Sequence, residues 1–180
     1  MLRVLNRLSS RVDASAHPRD ARQYVTSFSG LSAGPVYCYE VLSGDGTEVS
    51  LVGKAGFRTA APAGQGAMTR FLAFGDSGDH MSDDQAALLE QLSTVPADFI
   101  VHLGDIAYEE GTLAQFEDSF FSAYADLLHD FPVFPVPGNH EYKTDDAAPY
   151  REVFDLPGNE RWYSFDWGDV HFVAIDTERL

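Results

Sequence analysis

The sequence predicts an α/β fold preceded by a short β-rich region, and three observations lead there. After Thr69, apolar runs of strand length alternate with segments of helical periodicity. Before Thr59 there are only short runs of β-branched and aromatic residues, punctuated by glycine. One pattern also recurs: an apolar run, a glycine, then Asp or Asn. It appears as FGDSG, LGDIAY and PGNHEY.

In the first region QYVTSF, VYCYEVL and EVSLVGKAGFRT read as strands, with turns at Ser32–Gly34 and Gly44–Gly46. Three or four strands fall short of the roughly seven of a free-standing sandwich. TAAPAGQGAMT, residues 59–69, is small and Gly- and Pro-bearing, and reads as a linker. RFLAF then predicts a buried strand. Ser82 with Gln85 makes a capping box opening a helix through Leu88, Leu89 and Leu92. Pro96 closes that segment and DFIVHL is a second strand. Thr112 with Gln115 repeats the box, and Leu113, Phe116, Phe120, Tyr124 and Leu127 share one face of a helix. FPVFPV is a third strand; RWYSFDW and DVHFVAID form a hairpin across Gly168 and Asp169. The expected organisation is a β region over residues 1–58, a linker over 59–69 and an α/β domain over 70–180.

Composition narrows the function. In 180 residues, 28 acids against 12 bases give a formal net charge of -16. Such a surface repels nucleic acid and anionic membranes, so neither is an expected partner. It repels anionic substrates too, so an anion-handling site needs local cations. A hydrophobic content of 44%, with 13 Phe and 8 Tyr, supplies a core. Cys38 is the only cysteine, which excludes an internal disulfide and a thiolate zinc cluster. No apolar run approaches the roughly 18 residues of a membrane span, and the opening MLRVLNRLSSRVDAS lacks a signal segment.

One Gly-Asp after a strand is ordinary turn chemistry. Three at successive strand ends are not, because ligands of open α/β sheets bind at the carboxyl edge of the strands. The glycine lets the chain turn, carrying Asp76, Asp105 and Asn139 over that edge. Two carboxylates and a carboxamide brought together call for a cation, and oxygen donors suit hard metal ions. Two ions bridged by the second-strand carboxylate form a clamp for in-line attack at phosphorus.

GDSG, GDIAY and GNHE, in this order and spacing, resemble the calcineurin-like metallophosphoesterase superfamily, and within it the purple acid phosphatase branch. The superfamily's usual Asp-x-His is here Asp76-Ser77-Gly78, and Tyr108 stands three residues after Asp105. The resemblance implies Asp76 and Tyr108 as ligands of Fe(III). It implies Asp105 as a bridge to Zn(II), Mn(II) or Fe(II), Asn139 as a ligand of that divalent ion, and His140 facing the phosphate as transition-state stabiliser or proton donor. A trivalent ion favours the phenolate of a tyrosine that otherwise titrates near pH ~10. The activity implied is hydrolysis of small phosphate monoesters by a metal-activated water, in a secreted or periplasmic protein. FSGLSAGPVYCYEV and FRTA resemble the last strands of a fibronectin-III-like domain, where Tyr37 bonds backbone near the turn.

The family completes its site with three further histidines, one alone and two as His-x-His. The histidines here are His17, His80, His102, His129, His140 and His171, with no such pair. The expectation is therefore a truncated chain of reduced activity. A non-catalytic binding module, or another calcineurin-like phosphodiesterase or nucleotidase, stands as the alternative. GDSG also matches the nucleophile loop of chymotrypsin-like proteases, but only His17 precedes Ser77 and the surroundings are α/β. His102 and His171 read as core or interface histidines, and His80 as a solvated loop residue. His129 suits a helix carboxyl end. Glu141 and Tyr142 read as groups supporting the site or its substrate edge, or as packing. Glu109–Glu110 and Asp145–Asp146 read as solvated charge.

Overall fold

The computed structural model describes residues 2–6, 11–14, 17–18, 24–44, 49–79 and 82–179. In the first region lie β1 (Leu2–Asn6), β2 (Arg11–Ala14), β3 (His17–Pro18), β4 (Tyr24–Val25), β5 (Val36–Gly44) and β6 (Val49–Arg58). An antiparallel sheet runs in the order β2-β1-β5-β6, and β3 pairs with β4. The sequence reading assigned no strand to residues 2–6 or 11–14, where Asn and Arg interrupt the apolar pattern. Of QYVTSF, Tyr24 and Val25 form the strand, and Gln23 lies outside the described residues. The turn expected at Gly44–Gly46 lies partly outside them too. Tyr37 is buried, and its hydroxyl accepts from Ser32 N at 2.7 Å, fastening the turn that precedes β5.

Residues 59–69 carry no strand or helix, as their composition predicts. They are nonetheless tied down. Asp169, at the turn of the later hairpin, accepts from the amides of Gly64 and Gly66.

The second region is built on three parallel strands in sequential order: β7 (Phe71–Phe74), β8 (Phe99–His102) and β9 (Val133–Pro135). Their register sets Phe71 beside Phe99 and Ile100 beside Val133. Side chains alternate between the sheet's faces, and the sequence places an aromatic or branched residue on both, as a doubly covered strand requires. On one face Phe99, fully buried, meets Trp167, Phe172 and Phe165 at 4.4, 5.4 and 5.9 Å between ring centroids. Those rings come from the antiparallel hairpin β10 (Tyr163–Trp167) and β11 (Val170–Ala174). On the other face Leu72 and Ile100 join Phe116, Phe120, Tyr124 and Leu127 in one buried cluster.

That helical layer consists of α1 (Asp83–Thr94), α2 (Leu113–Phe116), α3 (Ala125–Asp130) and α4 (Ala148–Val153). Phe116, Phe120, Tyr124 and Leu127 face the core as predicted, with Leu89 and Leu92 packed against them, whereas Leu88 and Leu113 are half-buried outside that cluster, and the helix predicted through Leu127 is not continuous. A wide π-type turn, Glu117–Ser122, separates α2 from α3. Its Ser119 carbonyl accepts from the carboxamide of Gln85 at 2.8 Å, and a polar side chain entering the backbone ladder is a recognised cause of such a break. The same observation corrects the first capping box. Ser82 accepts from Gln85 N as expected, but the Gln85 side chain turns inward, and the Ser82 amide donates to the Asp79 carbonyl. The Thr112–Gln115 box forms in full.

The two regions meet through Asp98, 7% exposed, which faces Arg58 and Arg70 at 3.5 and 3.7 Å, and through Tyr39, whose hydroxyl donates to the His129 carbonyl. His129 lies in the last turn of α3. Of the core or interface positions expected for His171, the core is excluded. The residue is exposed on β11, with Nδ1 2.6 Å from Asp166. Among the described residues no helix is long and apolar enough to cross a membrane.

Candidate metal centre

The carboxyl ends of β7, β8 and β9 open into three loops that touch backbone to backbone. Asp76 N donates to Gly104 O, Ser77 N to Asp105 O and Tyr108 N to Gly78 O, at 3.1 to 3.2 Å. The loop after β9 reaches the second through His140 N, which donates to Asp105 Oδ1 at 3.0 Å.

The turning falls only partly on the glycines that the sequence predicts to carry it. Asp76 and Asp105 themselves occupy the left-handed region, at φ 52° and 53°. An aspartate tolerates this better than most residues, at a cost of about 1–2 kcal/mol. Of the three glycines, only Gly104 has positive φ, at 99°. The others serve close approach: a Cβ on Gly138 would lie 2.3 Å from Asp105 Oδ1, and one on Gly75 3.1 Å from Gly104 O.

Gly78 explains why no histidine stands two residues after Asp76. A Cβ there would lie 2.3 Å from the Ile106 carbonyl oxygen. The second loop occupies the space a side chain at 78 would need, and in doing so brings Tyr108 over Asp76. The Tyr108 hydroxyl donates to Asp76 Oδ1 at 3.0 Å. The Gly78–Tyr108 exchange is thus one steric unit.

Four of the site's hydrogen bonds converge on Glu141, for which the sequence allows a supporting or a packing role. Glu141, fully buried, accepts from the amides of Asp105, Ile106, Ala107 and Gly138 at 2.7 to 3.0 Å. Burial raises its carboxyl above the usual carboxylate range, while the amides of Gly138, Ala107 and Ile106 pull the other way. Its signal in the sequence is spacing: an acid three residues after Gly138 closes a turn onto that glycine's amide, as a helix cap does.

Electrostatically the site is acidic. Among the described residues no Lys, Arg or His lies within ion-pair distance of Asp76 or Asp105. The Tyr108 phenol is held protonated: burial pushes it well above its ordinary range, and the bond to Asp76 and the charges of Asp105, Asp76 and Glu141 add to that. A hard cation reverses both effects, converting repelling carboxylates and a stranded phenol into ligands. Two aspartates, a tyrosine and an asparagine are all oxygen donors, so the set fits such an ion. Among the described residues no group of three or more His, Cys, Asp or Glu gathers as a metal cluster. Asn139 is exposed at the tip of its loop, beside Asp105 only through its neighbours Gly138 and His140.

His140 lines a cleft of about 570 Å³ together with Asp76, Ser77, Asp79, Asp84 and Tyr108. Its ring meets that of Tyr108 edge-on at 4.1 Å, and its Nδ1 lies 2.8 Å from the Glu109 carbonyl oxygen. Lys143 donates to the same carbonyl at 2.8 Å. Glu109 is therefore part of the cleft wall rather than merely solvated charge. Asp146 is likewise engaged, facing Arg161 and Arg179 at 3.8 and 2.8 Å. Beneath the cleft His102 is fully buried, as a core histidine should be, with Nε2 2.8 Å from Ser77 Oγ. His80 lies outside the described residues.

Two outcomes are expected. Gly78→Ala should push the second loop off the first and break the Tyr108–Asp76 bond. Tyrosine ring resonances that respond to Asp76→Asn in the parent should then cease to respond in the variant. A response as large as the parent's would show that the loops accommodate a side chain at 78. Burial also lowers His102 to about 3, so below its unfolded value near 6.5 the native state resists a proton that the unfolded state takes up. His102 thus favours the native state above pH ~6.5 and loses that advantage as pH falls toward 3, by up to about 1.4 kcal/mol per pH unit. Urea midpoints should fall from pH 7 to pH 4 less steeply in His102→Leu; parallel curves would contradict the assignment.

Comparison with known proteins accords with this geometry. Residues 69–177 match the model of the calcineurin-like phosphoesterase family. Acid phosphatase type 7 of Danio rerio is 30% identical over 114 residues, covering 60% of this chain and 25% of that protein. Probable inactive purple acid phosphatase 1 of Arabidopsis thaliana is 28% identical over 151 residues, covering 68% of this chain and 24% of that protein. This chain therefore spans about a quarter of the length of these relatives. In fold, the purple acid phosphatase PPD1 from yellow lupin (Lupinus luteus) seeds superposes with a TM-score of 0.73 at 19% identity, over 96% of this chain and 38% of that one. Three strand-end loops packed on one another, in a chain matched over residues 69–177, lead to one conclusion: this chain belongs to the calcineurin-like phosphoesterase family, which implies a binuclear metal centre.

Proposed function

We propose that this chain serves the hydrolysis of small phosphate monoesters at a binuclear metal centre formed at the ends of β7, β8 and β9. One observation carries the reading. The Tyr108 hydroxyl and the Asp76 carboxylate share a 3.0 Å contact in a site where, among the described residues, no basic side chain pairs with Asp76 or Asp105. In this reading Asp76 and Tyr108 hold Fe(III), Asp105 bridges to Zn(II), Mn(II) or Fe(II), and Asn139 holds the divalent ion. Residues 1–58 are a fibronectin-III-like part, 59–69 a linker and 70–180 the phosphoesterase part.

When bound, such ions supply Lewis acidity at phosphorus and a nucleophile at neutral pH. The chain's own residues do the rest. Asp105, fixed at one oxygen by His140 N, keeps its remaining lone pairs for cations. His140, whose Nδ1 is directed at the Glu109 carbonyl, keeps its other ring nitrogen for a phosphoryl oxygen or leaving group. The sheet and the Glu141 bonds hold these groups in place before a substrate arrives.

A second reading has an observation of its own. Asn139 is exposed, and with Asp105 it gives the divalent ion only two donors here; a site so open binds metal weakly. A chain that retains the fold without turnover would look the same. Metal analysis separates the two. Loaded with Fe(III), the chain should absorb visible light, and Tyr108→Phe should abolish the band; a colourless iron-loaded chain would remove tyrosinate ligation. Asp105→Asn should lower the bound metal from two ions to one or fewer per chain. Two retained ions would refute the bridge, and a parent chain holding only one would favour the second reading.

A further inference from the structure

We propose that Ser77 is a hydrogen-bond donor at the floor of the cleft, its hydroxyl proton aimed at a bound oxyanion by the buried His102 beneath it. The nature of that oxyanion, a phosphate, rests on the phosphoesterase reading; the direction of the hydroxyl does not.

Ser77 follows Asp76 directly, is 4% exposed, and lines the cleft beside Asp76, Tyr108 and His140. Its backbone is fixed on both sides. The amide donates to Asp105 O, and the carbonyl accepts from Gln85 Nε2 and from the Tyr124 hydroxyl. The side chain therefore has little freedom to relocate. Among the described residues Ser77 Oγ has one hydrogen-bond partner, His102 Nε2, at 2.8 Å.

His102 decides which way that bond runs. Its ring sits edge-on to Phe74 and Phe120, at 4.9 and 5.8 Å between centroids, and its Nδ1 is buried with no partner among the described residues. A neutral imidazole carries its proton on one nitrogen only. With the proton on Nδ1, a buried N–H would be stranded among aromatic rings, and orphaned buried N–H groups are rarer in proteins than under-satisfied acceptors. With the proton on Nε2, Nδ1 keeps only an unsatisfied lone pair, the lesser cost. His102 then donates to Ser77 Oγ, and the serine cannot spend its own proton on the histidine. That proton is left for the cleft, where Ser77 becomes a fixed neutral donor in an otherwise acidic wall. A serine free to bond the histidine instead would present a lone pair and repel an oxyanion.

The test has two arms on the full chain. Nitrogen-15 shifts of the His102 ring, assigned by difference from His102→Leu, should report Nε2 protonated and Nδ1 bare at neutral pH. Inorganic phosphate titrated calorimetrically into the iron- and zinc-supplemented chain should bind roughly tenfold more weakly to Ser77→Ala, as for one lost bond to a charged group. Ser77→Thr, which keeps the hydroxyl, should recover most of that affinity. A proton on Nδ1 would overturn the proposal whatever the phosphate result. So would equal affinity in parent and Ser77→Ala with Nε2 protonated. A parent chain that binds no phosphate would contradict the phosphoesterase reading and remove the ligand assigned to Ser77, while the ring shifts still report the hydroxyl's direction. Should Ser77→Ala fail to fold, the shifts decide the matter with Ser77→Thr.

Discussion

The site depends on one buried carboxylate. Glu141 gathers four backbone amides, three from the loop after β8 and one from the loop after β9. Each bond from an amide to a charged acceptor contributes about 1.5–3 kcal/mol net, and the carboxylate has no exposure to water that would compete. Without it, two loops rich in glycine would have little reason to share a position. With it, Asp105 is held from both sides, its amide by Glu141 and its side chain by His140 N.

What Glu141 fixes, close backbone approach extends to the first loop. Ile106 and Ala107 lie over Gly78, so a loop pinned by Glu141 in turn pins the loop that carries Asp76. The left-handed Asp76 and Asp105 are the cost of this convergence, a local strain that a well-determined surrounding can hold. The resulting grouping of Asp76, Asp105 and Tyr108 is unfavourable by itself: the two carboxylates both bear on one phenol, which is kept from ionising. A bound cation would relieve both, which is the physical ground for the proposed metal centre.

Much of this was legible in the sequence, for physical reasons that differ by residue. The strands β7, β8 and β9 are short apolar runs ending in glycine, so their parallel pairing and the placement of Asp76, Asp105 and Asn139 at one rim followed from pattern alone. Phe116, Phe120 and Tyr124 announced a buried helical face by spacing. The break at Glu117–Ser122 did not show, because it arises from a side chain on another helix, Gln85, meeting the Ser119 carbonyl. The outward position of His171 was likewise hidden, since an alternating strand does not say which of its faces is covered. Glu141 was ambiguous because an acid after a histidine looks the same whether it faces water or four amides. The engagement of Asp146 with Arg161 and Arg179 required partners more than ten residues away.

Amide hydrogen exchange tests the central interaction most directly. The amides of Asp105, Ile106, Ala107 and Gly138 should exchange slowly and as a group, and Glu141→Ala, which leaves no acceptor, should release all four together while the amides of β8 stay protected. Four amides that keep their protection in that variant, or that exchange independently in the parent chain, would contradict the account.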